Sequence, residues 1–152
     1  MTTSRFRPRR LLALTMAASI MLLGACNSEA NDKNESLDSV MDTAQVGDCF
    51  VSQGKEVKPV ECTQTHDSEL FAREAHDTTD VYPGDVELET TSFAMCKKAL
   101  VAQYPDAAEN DGLTIQVANP TKEAWNAGQH EYLCFAEWNN NQTQPLSEIF
   151  TQ

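Results

Sequence analysis

Four cysteines and three histidines carry most of the chemistry this chain can offer. Cys49, Cys62, Cys96 and Cys134 form an even set within a small region. In an exported domain such a set points to two disulfides, and three pairings are open. A zinc site is the rival reading, with Cys62 and His66 as its start and His76 or His130 to complete it. No Cys-x-x-Cys knuckle is present, which disfavours structural zinc and a thiol oxidoreductase alike. His66 precedes Asp67 and Glu69, and a histidine beside carboxylates can act as a general base or a ligand. The commoner fate of such a histidine is a hydrogen bond in a turn, and that role is favoured here. His76 and His130 read as solvated loop residues. Nucleophile-elbow, phosphate-loop, kinase and His-Glu-x-x-His patterns are all missing, so neither an enzyme nor a cofactor is expected. Trp125 and Trp138 could anchor a ligand, but core packing is the favoured reading. The acids between Asp77 and Glu89 lack the regular spacing of a calcium loop.

The elements that would position these groups follow from pattern. Val46 to Val51 and Val57 to Cys62 flank Gly54 and read as a β-hairpin. Cys49–Cys62 would cross-link its two strands. Glu69 to Ala75 reads as a strand. Tyr82-Pro83-Gly84 marks a turn, after which Asp85 caps a helix that runs to about Tyr104. Phe93, Cys96, Leu100 and Tyr104 share one face of that helix. Leu113 to Ala118 alternates as a strand, Thr121 caps a short helical turn, and Glu131 to Trp138 is the last firm strand. Asn139 to Gln142 reads as a polar loop, and Leu146 to Phe150 as a segment that packs back on the domain. Cys96–Cys134 would tie the helix to the last strand, so Cys49–Cys62 with Cys96–Cys134 is the preferred pairing. The fold class expected is α+β, a short antiparallel sheet packed against one main helix.

The N-terminus gives an address. Arg5, Arg7, Arg9 and Arg10 precede an uncharged apolar run from Leu11 to Leu23, and small residues lead into Cys26. That is the layout of a secretory signal, and the run is short for a membrane-spanning helix. The order Leu22-Leu23-Gly24-Ala25-Cys26 resembles a bacterial lipoprotein signal. The resemblance implies cleavage after residue 25, a diacylglycerol thioether on Cys26 and anchoring on the extracytoplasmic face of the membrane. One acyl chain holds a protein only marginally, whereas two hold it stably. Residues 26–45 are polar and acidic and read as a flexible tether, which as a coil spans roughly 25 Å. Residues 46–152 form a single domain.

The full chain carries 11 basic and 23 acidic residues, a net charge of −12. Loss of the four signal arginines would leave 7 basic against 23 acidic, a net −16. Such a surface is repelled by nucleic acid, which is excluded as a partner, and by anionic lipid heads. The favoured reading of the acidity is solubility.

Several landmarks together resemble one family. They are Val46-Gly47-Asp48-Cys49-Phe50, then Cys62 four residues before His66, then Glu69 and Phe71. Tyr82-Pro83-Gly84 and a helical Cys96 follow, and Pro120, Trp125, Gly128 and Cys134 close the set. This looks like the septum-formation domain of actinobacterial envelope proteins, over about Val46 to Trp138. The resemblance implies an exported, disulfide-linked module with a role near division or wall assembly, and it brings no catalytic residues. His66, Glu69, Trp125 and Gly128 are the candidate functional positions. The expected protein is a non-catalytic lipoprotein that contacts an envelope or division protein. The alternative is a hydrolase, or a metal- or small-ligand-binding lipoprotein, centred on His66 and nearby acids.

Overall fold

A computed structural model of the chain describes residues 40, 42–54, 56–77 and 81–150. The expected signal peptide, Cys26 and the tether up to residue 39 lie outside the described residues. Among these residues no helix is long and apolar enough to cross a membrane.

Five strands form one antiparallel sheet: β1 (Cys49–Gln53), β2 (Glu56–Val60), β3 (His66–Ala75), β4 (Leu113–Ala118) and β5 (Glu131–Gln142). Their order is β2-β1-β3-β5-β4. The β1–β2 hairpin turns at Gly54, whose φ of 71° suits glycine. The main helix, α1 (Asp85–Gln103), is followed by a 3-10 turn (Pro105–Glu109), a short α2 (Lys122–Asn126) and a single-turn α3 (Leu146–Ile149).

Period-2 alternation lets the central strands bury both faces. On one face Tyr132, Cys134 and Ala136 of β5 pack with Phe71 and Ala72 of β3, Cys96 and Leu100 of α1, and Leu146. On the other face Leu133 and Phe135 pack with Phe50, Leu70, Val40 and Ala44. A register shift between Leu70 and Ala72 lets Phe71 and Ala72 both join the helix side. That is the use of a β-bulge: it re-aims side chains where strict alternation would send one out. Burial of Val40 and Ala44 carries the packed core back before Val46, where the sequence placed its start.

The bridges are Cys49–Cys62 and Cys96–Cys134, the pairing preferred from sequence. The first closes the open end of the hairpin. The second fixes α1 to β5 through the centre of the helix-side core. They span 13 and 38 residues of sequence. In the chain-entropy account such closures contribute about 3 and 4 kcal/mol.

Four expectations need correction. The buried row of α1 is Leu88, Ser92, Cys96 and Leu100, an i, i+4 series. Phe93 lies off that row and is 45% exposed. Asp85 is the first helical residue; the N-cap is Gly84, and the Asp85 carboxylate instead accepts the Tyr82 hydroxyl. It still sits in the first turn, where a negative charge is stabilised. β3 starts at His66, three residues earlier than expected, and β5 continues through Asn139–Gln142, where a loop was expected. Pairing of His66 with Gln142 extends both strands, and a polar sequence gives no sign of such tertiary pairing. Thr121 caps α2 as expected, accepting from the Ala124 N–H at 3.1 Å.

Candidate functional site

His66 and Glu69 open β3 on the helix side of the sheet, beside the Cys49–Cys62 bridge. His66 is fully buried, at 0% exposure, and Glu69 is 3% exposed. The His66 Nδ1 lies 2.9 Å from the Gln64 carbonyl. That contact calls for a proton on Nδ1. Nε2 has no partner among the described residues. The turn-bonding role favoured from sequence is therefore the role the geometry gives.

Glu69 does a different job. Its Oε2 accepts the Leu146 N–H at 2.6 Å. Leu146 opens α3, and the first N–H groups of a helix have no intrahelical acceptor. A carboxylate from a distant strand thus caps the C-terminal turn and holds it to the sheet. Burial pushes the Glu69 carboxyl up to about 7, against a smaller lowering by that backbone hydrogen bond. Tyr104 is raised as well, by its own burial and then by the Glu69 charge.

Ligand atoms of Cys49, His66 and Glu69 lie within 4.8 Å of one another. With a free thiol this trio would suit a metal ion. The Cys49 sulfur is bonded to Cys62, so it brings neither a proton nor a thiolate. Its 3.9 Å approach to Glu69 Oε2 is a packing contact. Two donors remain, fewer than a zinc site takes from protein.

A second polar cluster was missed in the sequence. His76 is only 8% exposed, at the end of β3, and is not a solvated loop residue. Its Nε2 lies 3.1 Å from Ser92 Oγ, and that hydroxyl lies 2.6 Å from Asn119 Oδ1 and 2.8 Å from the Leu88 carbonyl. Two of the three neighbours of Oγ accept only, so the single hydroxyl proton goes to one of them and His76 Nε2–H donates. A histidine that donates to a serine cannot take its proton, so the pair is the reverse of an activated nucleophile. Burial holds the His76 imidazole below its usual range, partly offset by a hydrogen bond to Asn119. A serine on a helix stripe reads as a solvent position, which is why this cluster left no signal.

Trp125 packs into the same region. It is 3% exposed, with its ring 4.4 Å from His130 and 5.5 Å from His76. Trp138 is buried too and stacks on Phe150. Both tryptophans are core residues, the favoured reading. Gly128 ends α2 with φ 88°, a conformation that side chains resist. Next to it lies a cleft of about 400 Å³ lined by Arg73, Thr121, Gly128, His130 and Glu131. Its arginine is already engaged, at 2.8 Å to Glu131 and 2.9 Å to the Ala44 carbonyl. The four candidate positions are thus split: His66 with Glu69 at one end of β3, Trp125 with Gly128 beyond the other.

The model of a family described as septum formation matches residues 46–149. That is more than half of the chain, and it includes all four domain cysteines and all four candidate positions. No curated protein and no solved structure matches the chain.

Proposed function

The chain belongs to the septum-formation family, and from that premise we propose that it is a non-catalytic accessory module of the cell envelope. In this reading a lipid on Cys26 holds it at the extracytoplasmic face of the membrane, and it works by binding another envelope or division protein. The observation that carries the reading is burial. The one histidine–carboxylate pair singled out for chemistry, His66 and Glu69, is sealed inside the domain and engaged in holding backbone. A hydrolase or a metal- or small-ligand-binding protein centred on His66 would have to open its own core to work. The acidic surface supports a protein partner over nucleic acid, and a covalent anchor over direct lipid contact.

Anchoring is tested by fatty-acid labelling and fractionation of the full chain in cells. The wild type should take up a fatty-acid analogue and stay with the membrane. Cys26→Ala should lose the label and leave the membrane fraction. Labelling that survives the substitution would remove the anchor from the account.

A further inference from the structure

The sheet has two outer strands, and they are protected differently. β2 carries Glu56, Lys58 and Pro59, the charges and proline that blunt an edge against pairing. β4 reads Leu113-Thr114-Ile115-Gln116-Val117-Ala118, with no charge and no proline. Its ladder to β5 runs without a register shift, so no bulge twists the edge away. Among the described residues nothing pairs with the outer side of β4.

α1 runs beside this edge. Two clefts lie between them, of about 670 and 230 Å³, and both are lined by Phe93 and Ile115. Phe93 is the half-exposed aromatic that the buried row of α1 leaves out. The two clefts differ in charge. The one along Val117 is lined by Asp85, Glu89 and Glu123 against Lys122 alone. The one along Leu113 has Lys97 as its single charged residue. The groove therefore has an acidic end, an apolar middle and a basic end.

We propose that this groove is a homodimer interface: β4 of a second copy adds antiparallel to β4, about a two-fold axis near Ile115 and Gln116. A two-fold interface uses one patch twice, so the patch must complement itself. This one does. Antiparallel pairing sets the Leu113 end of one strand against the Ala118 end of the other. Lys97 then faces the partner's Glu89 and its acidic neighbours, and the two Phe93 rings meet near the axis. Parallel pairing would set like ends together. A chain of net charge −12 repels its copy over most of its surface, so association favours a strip where the signs alternate. The pairing depends on nothing assumed about lipid anchoring or division.

Sedimentation equilibrium on the purified full chain, in a density-matched mild detergent, tests this. The wild type should show a monomer–dimer equilibrium. Lys97→Glu and Glu89→Lys should each weaken it by about fivefold or more, because each reversal places like charges together at both ends of the axis. The double variant should recover most of the loss. Lys97 and Glu89 are eight residues apart on α1, about 12 Å along the axis, so recovery cannot come from a pair within one chain. Both side chains are exposed, so the variants keep the fold. Amide exchange in β4 should slow as dimer forms. A monomer at every concentration overturns the proposal and leaves the edge to a strand from another protein. A dimer indifferent to the single reversals, unrecovered in the double variant, or formed without protection of β4 overturns it too.

Discussion

Glu69 is the residue whose environment has the clearest measurable consequence. Its carboxyl titrates at about 7 in the fold, against an ordinary value of 4.5. Between those values the folded chain keeps a proton that the unfolded chain has released, so stability falls as pH rises through that window. The loss is roughly 2–3 kcal/mol, complete above about pH 7. Glu69→Gln keeps an acceptor for the Leu146 N–H and removes the titration. Urea unfolding at pH 5 and pH 8 should show the wild type losing more stability on going to pH 8 than the variant does. Equal pH dependence would mean that Glu69 stays ionised in the fold. His76 acts with the opposite sign: its lowered value makes stability fall as pH drops below 6.5. The wild type and Glu69→Gln both retain His76, so their difference isolates Glu69. The spacing of His66 and Glu69 marked them in the sequence, but their burial was not legible, because a short polar run shows no sign of what folds over it. Ser92 and His76 were not legible at all. Only tertiary packing turns a serine on an apolar stripe into a hydrogen-bond hub.

At the level of elements, local signals succeeded where one face meets one environment. β4 begins and ends where alternation between Leu113 and Ala118 placed it, and Thr121 caps α2. They failed where tertiary pairing decides. The polar run Asn139–Gln142 is strand because β3 extends to meet it. Phe93 is the instructive miss, since hydrophobicity suggested core while the i, i+4 row of α1 excluded it. The bridge between α1 and β5 is the strongest single tie between helix and sheet. Replacing Cys96 and Cys134 together by alanine should cost about 4 kcal/mol from the unfolded state alone, with a further loss for the buried sulfur atoms. Thermal unfolding would register this as a large drop in Tm. A change under about 1 kcal/mol would show that packing, and not the cross-link, holds α1 in place.

On the scale of the whole molecule, composition and cysteine count anticipated a small, acidic, doubly bridged domain, residue patterning its α+β class, and the landmark order pointed to the family. The sequence understated the extent of the core. Val40 and Ala44 fall in an acidic stretch with too little apolar content to suggest packing, yet they close the second face of the sheet. In the proposed function the surface does the work and the interior is scaffold. The direct test is photo-crosslinking in living cells, comparing the wild type with Glu69→Gln, both confirmed to retain their two disulfides. The same envelope-protein adducts are expected in the same yield. Loss of those adducts in a folded, fully bridged Glu69→Gln chain would contradict the proposed function, and would place the working group inside the domain.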